Sequence, residues 1–163
     1  MATVDGKTTA PDQYGIVQGD GGAVDKMSGG SGNDMLQGHA KFNQYYGGAG
    51  DDTFKLVAKF AQQEGTHIGQ SKAYGDQFAY ITDFQGAGVS GGDFIALDGF
   101  VTGSVKLEHT GATNSSGTLF YYSVMDTMGH TYNFIINSVN NTALGQDDFA
   151  YYGKNTLDNV VPV

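Results

Sequence analysis

Apolar and polar residues follow two rhythms along this chain. Over residues 20–55 an apolar side chain recurs every nine positions, at Met27, Leu36, Tyr45 and Phe54, against a background of Gly, Asp and Asn. From about residue 56 the rhythm shortens towards alternation. Apolar or aromatic runs then follow one another: FKLVAKFA (54–61), QFAYITDF (77–84), DFIALDGF (93–100), SVKLEH (104–109), GTLFYYSVM (117–125), HTYNFIINSV (130–139) and DFAYYG (148–153). Clusters of Gly, Asn, Ser and Asp separate them, and their β-branched and aromatic content predicts strands. Phe54–Gln63 also suits a 3.6-residue period and is a candidate short helix, and a helical turn is expected around Asn141–Asp148. Strands without intervening helices predict an all-β chain.

The nine-residue rhythm survives a register test. GGSGNDMLQ starts at Gly29 and GGAGDDTFK at Gly47, two nonapeptide steps further on. The unit between them, GHAKFNQYY (38–46), fills the frame without insertion or deletion, with Asn43 at the aspartate position and Tyr45 at the apolar one. Upstream, DGGAVDKMS (20–28) puts Asp25 and Met27 at the same two positions. One step further back, residues 11–19 place Ile16 and Gln18 there and leave the register.

The pattern G-G-x-G-x-D-x-U-x, with U apolar, is a calcium-binding repeat of parallel β-helices. Glycines allow turns closed to residues with a Cβ and expose backbone carbonyls. The sixth-position aspartate adds an anionic oxygen, and the apolar eighth residue points inward from a short strand. Two nonapeptides make one coil, so every second loop stacks in the same row. Calcium takes six to eight oxygens from carboxylates and carbonyls. One row therefore predicts a site from Gly29, Ser31 and Asp34 against Gly47, Ala49 and Asp52. The opposite row sets Asp25 against Asn43, has lost glycines and a charge, and is expected to bind weakly or not at all.

Composition agrees with this picture and narrows it. Glycine reaches 26 of 163 residues, more than twice the roughly 7% average, with only two prolines. Hydrophobic residues make up 39%, and the ten Phe and ten Tyr argue for a packed core. The formal charge of −9 (8 − 17) argues against nucleic acid and anionic membranes as partners, and favours cations. The absence of cysteine excludes disulfides, thiolate zinc sites and a cysteine nucleophile. The first residues, MATVDGKTTAPDQYG, carry neither the basic nor the apolar region of a secretory signal peptide, and no apolar run approaches the roughly 18 residues that span a bilayer.

On these two repeats the chain resembles the RTX (repeats-in-toxin, haemolysin-type calcium-binding) family. The following segments extend the resemblance. YGDQFAYITDFQ (74–85) and GDFIALDGF (92–100) are similar to the segments that succeed the repeats in serralysin-type C-terminal domains and in the R-modules of secreted mannuronan epimerases. NNTALGQDDFAYYG resembles their closing strand, and LDNVVPV is similar to C-terminal signals read by type I secretion machinery. The resemblance implies a short calcium-binding parallel β-roll (18–56) after a polar lead-in (1–17). A β-rich, sandwich-like cap (57–152) and a tail with a secretion signal (153–163) follow. It also implies a further calcium beside the roll, held by Asp76 and Asp83. A secreted protein that folds on calcium outside the cell is what such a chain would be.

Catalysis is not expected, although a small stand-alone secreted enzyme is the second alternative reading. No H-E-x-x-H occurs, and His39, His67, His109 and His130 stand isolated. Ser28, Ser115 and Ser116 lack a G-x-S-x-G context. The carboxylate pair Asp51–Asp52 lies in a metal loop, and Asp147–Asp148 stands at a strand start. One binding alternative comes from three tyrosine pairs. Neighbours on a strand face opposite ways, so Tyr46, Tyr121 and Tyr151 are candidates to stack on a polysaccharide.

Overall fold

The computed structural model describes residues 2–11, 13, 15–21, 24–40, 42–61 and 77–152. The nonapeptides wind as their spacing demands. Strand β4 (Val24–Ser31) lies in one sheet and β5 (Met35–Gln37) in the other; β6 (Phe42–Ala49) returns to the first and β7 (Thr53–Val57) to the second. β4 pairs with β6 in parallel, Met27 against Tyr45, and β5 pairs with β7, Leu36 against Phe54. Both registers step by two nonapeptides. The strand share is unequal, because Gly29–Ser31 and Gly47–Ala49 extend the strands of the first sheet instead of forming loops. The chain bends at Gly32 and Gly50, and these two, with Gly30 and Gly48 near the strand ends, take φ values of 96–118°, a region that a Cβ disfavours.

The two parallel sheets run on past the repeats. β8 (Gln77–Phe84) adds to β6 in parallel, and β9 (Phe94–Asp98) adds to β7. Next come β10 (Lys106–Asn114) and β11 (Gly117–Met125), an antiparallel hairpin at the sheet edge. After it, β12 (Thr131–Ser138) pairs in parallel with β8, and β13 (Phe149–Tyr152) with β9. The cap thus continues both sheets of the coil and carries a hairpin on its flank. The all-β expectation holds.

At the other end, the lead-in is structured. β1 (Thr3–Val4) adds antiparallel to β4, β2 (Lys7–Thr8) adds antiparallel to β1 at the edge of the first sheet, and β3 (Ile16–Gln18) joins β5 in the second. Val17 pairs with Leu36, one position more than two nonapeptides away, so the register lost at residues 11–19 is a single-residue slip. Within the candidate helix at Phe54–Gln63, residues 54–61 divide into β7 and a four-residue helix, α1 (Ala58–Ala61), while Gln62 and Gln63 lie outside the described residues; the turn expected near Asn141 is a 3-10 turn at Gln146–Asp148.

The core lies between the sheets as two facing ladders. One runs Met27, Tyr45, Ile81, Ile136, Phe120; the other runs Val17, Leu36, Phe54, Ile95. All of these side chains are buried. Tyr45 and Phe54 meet edge to face, ring centroids 5.7 Å apart, and tie the ladders together. The Tyr45 hydroxyl accepts the Gly38 N–H at 3.1 Å, which satisfies its polar tip inside the core.

Candidate metal centre

In the three units that start at Gly29, Gly38 and Gly47, the sixth-position side chain folds back over the unit's first glycine. A Cβ on Gly29 would lie 2.7 Å from Asp34 Oδ2, and one on Gly47 or Gly38 would collide with Asp52 or Asn43. Gly19 does the same for Asp25, one residue further away in sequence, which is the slip seen at Val17. The first-position glycine is therefore a cradle for a polar side chain.

Asp34 and Asp52 sit where the chain passes from the first sheet to the second, one coil apart. Asp34 N–H donates to Asp52 Oδ1 at 2.9 Å, and Thr53 N–H to the Asp34 carbonyl at 2.8 Å. Above them Asp52 N–H donates to Asp93 Oδ1 at 2.9 Å, and Phe94 N–H to the Asp52 carbonyl at 2.8 Å. Asp34, Asp52 and Asp93 form a spine of three carboxylates. Asp83 joins it from β8, accepting Gly47 N–H at 2.8 Å and Gly48 N–H at 2.9 Å.

Four buried side-chain polar atoms lack a partner among the described residues, and two of them are Asp34 Oδ2 and Asp52 Oδ2; Asn137 Oδ1 and Asp148 Oδ1 are the others. Asp34 Oδ2 and the Gly47 carbonyl oxygen both lie within 2.7 Å of the point a Gly29 Cβ would occupy. Two acceptors thus face a common space with no donor assigned to Asp34 Oδ2. Burial raises the Asp34 and Asp83 carboxyls above the ordinary range. Burial, with Asp34, Asp83 and Asp51 nearby, pushes Asp52 up to about 6; burial, with Asp52 and Asp83, pushes Asp93 to about 7. Buried carboxylates that resist ionisation in company, with orphaned oxygens, fit a divalent cation.

The structure brings Gly29, Asp34, Gly47 and Asp52 together as the spacing predicts. Ser31 and Ala49 are paired across β4 and β6, and the Ala49 carbonyl accepts Gly32 N–H at 2.8 Å. Asp83 joins this same row instead of standing beside the roll, and Asp76 lies outside the described residues. Sequence reasoning missed Asp93. Its signal was present: Asp93 and Ile95 repeat the spacing of Asp52 and Phe54, but they do so beyond the nine-residue frame.

The opposite row departs from expectation. Asp25 and Asn43 stand in register on β4 and β6, yet their side chains do not share a site. Asp25 is fully buried; its carboxylate accepts Gly21 N–H at 3.1 Å and His39 N–H at 2.9 Å. Its carboxylate neighbours are Asp5 and Asp20, with ligand atoms of all three within 4.8 Å of one another. Burial, and then Asp20 beside it, raises the Asp25 carboxyl. Asn43 instead commits its amide to backbone groups.

The tyrosine alternative keeps one residue of three. Tyr46 is 52% exposed. Tyr121 is buried, with His109 tilted against it at 5.6 Å, and Tyr151 is half-buried with its hydroxyl accepting Val105 N–H at 2.9 Å. His109 across the hairpin covers part of Tyr121, and the chain leading into β10 occupies the Tyr151 hydroxyl. Gly88–Gly92 spells G-x-S-x-G, but Ser90 lies in the turns between β8 and β9, with no helix behind it to form the strand-turn-helix elbow.

Compared with family models, curated proteins and solved structures, the chain matches none.

Proposed function

We propose that this chain is a calcium-binding module of a secreted protein, in which binding of the ion completes folding. The observation that carries the reading is the pair of buried, unpartnered oxygens, Asp34 Oδ2 and Asp52 Oδ2, one coil apart in a glycine cradle. Calcium, when bound, supplies two positive charges to a place where two buried carboxylate oxygens find no donor. Asp34 and Asp52 would hold it with nearby backbone carbonyls, while Asp83 and Asp93 fix the loops by accepting their backbone N–H groups. Without it the carboxylates of the spine repel one another, so binding free energy becomes folding free energy.

Such a chain stays loose at the submicromolar calcium of a cytosol and closes at millimolar levels outside. That behaviour suits export through a type I channel, with catalysis supplied by an attached or partner domain. Circular dichroism and thermal melting in millimolar calcium and in chelator test the reading: identical melts in the two conditions would falsify it. Titration with alginate and other polysaccharides separates it from an accessory carbohydrate-binding role, for which Tyr46 is the exposed candidate.

A further inference from the structure

Asn43 holds the sixth position in the unit between the two aspartate loops, and like Asp34 and Asp52 it fills the cradle of its unit's glycine. There the likeness ends. Asn43 Oδ1 accepts Ala40 N–H at 3.0 Å, while Nδ2 donates to the Ala40 carbonyl at 3.0 Å and to the Phe78 carbonyl at 3.2 Å. The residue is 3% exposed and none of its side-chain atoms is orphaned.

The two carbonyls come from successive coils, Ala40 ahead of β6 and Phe78 on β8, and they converge on one nitrogen. Carbonyl oxygens repel when brought together and need a positive group between them. At Asp34 and Asp52 the two Oδ2 atoms face no such group. At Asn43 the chain provides the group itself, because an NH2 presents two positive hydrogens in two directions. Replacing Nδ2 by a carboxylate oxygen would leave that oxygen facing the Ala40 and Phe78 carbonyls, three acceptors around one space.

We propose that the Asn43 amide takes the place of a cation at this rung, so that the coil closes there without metal. The choice of Asp or Asn at the sixth position then decides whether a rung requires calcium. The comparison with Asp34 and Asp52 rests on reading those two as calcium ligands, but the experiment does not need that reading to hold.

The test is Asn43→Asp beside Asn43→Ala in the full chain, by calorimetric titration with calcium chloride and by melting in chelator and in millimolar calcium. N43D is expected to bind one calcium ion more than the wild type, to melt lower in chelator, and to recover in calcium. N43A, which loses the amide without gaining a charge, is expected to bind as many ions as the wild type and to lose the same stability in both conditions. The inference is overturned if N43D binds no additional ion, if it fails to fold or to recover in calcium, or if N43A gains a calcium response. Should the wild type bind no calcium while N43D binds one, the reading of Asp34 and Asp52 falls and this one stands. Should the wild type bind calcium and N43D bind no more of it, Asp34 and Asp52 keep their role and this inference falls.

Discussion

Asp34 donates its backbone N–H to Asp52 Oδ1 at 2.9 Å across one coil, while the remaining oxygen of each carboxylate, Oδ2, is buried without a partner. Half of the Asp52 carboxylate therefore builds the coil, and on the proposed reading the free oxygen of each acid binds calcium. A site whose dissociation constant is one hundredth of the calcium concentration contributes about 2.7 kcal/mol. For a domain of this size that corresponds to a rise of about 5–10 °C in Tm between chelator and saturating calcium. Differential scanning calorimetry measures it directly.

Asp52→Asn is expected to change sign with calcium. In chelator near neutral pH it removes a charge that burial and the neighbouring carboxylates oppose, and stability should rise. In millimolar calcium the variant lacks a ligand and should melt below the wild type. Denaturant titrations in the two conditions must cross; a variant weaker in both would assign Asp52 a purely structural role.

Gly29→Ala isolates the cradle. Its φ is not positive, so alanine meets no backbone penalty there, and the effect is steric. The new Cβ would lie 2.6 Å from the Gly47 carbonyl oxygen and 2.7 Å from Asp34 Oδ2, both closer than real contacts allow. Overpacking of this kind costs about 1–3 kcal/mol, and displacement of Asp34 should lower calcium affinity as well. Alanine at Gly32, where a Cβ meets nothing but φ is +100°, should instead lose stability without a steric clash at Asp34. Calorimetry on the pair separates the two causes.

How far these residues could be read from sequence depends on what fixed their spacing. The frame of nine was legible because every turn of the coil repeats the same strand and corner, and Met27, Leu36, Tyr45 and Phe54 all land in the core. Val17 was lost because one extra residue shifts it out of the frame that Leu36 keeps. Asp93 was lost because a long insertion separates it from Asp52, so the coil continues in space after the period has ended in sequence. The burial of Tyr121 was not legible at all, since strand alternation gives two faces and does not say what packs on the second. Asn43 was read as a weakened ligand; only its partners, the Ala40 and Phe78 carbonyls, reveal an amide fully engaged.

A fall in stability with rising pH is expected of the calcium-free protein. Burial and neighbouring carboxylates raise Asp52 to about 6 and Asp93 to about 7, from an ordinary value of 3.8. For an acid raised on folding, the native state holds more protons than the unfolded chain between the two values, so stability falls as pH rises. In chelator the protein is expected to be most stable near pH 4–5 and to weaken steadily up to about pH 7, where both acids ionise in the folded state. Calcium favours the ionised carboxylates and should flatten this slope or reverse it. In the Asp52→Asn variant one of the two groups is gone, and the part of the decline that Asp52 carries, below about pH 6, should shrink. Melts at half-unit pH intervals, with and without calcium, decide the matter: a chelated protein whose stability rises from pH 4 to 7 would mean that these carboxylates are not held against ionisation by the fold.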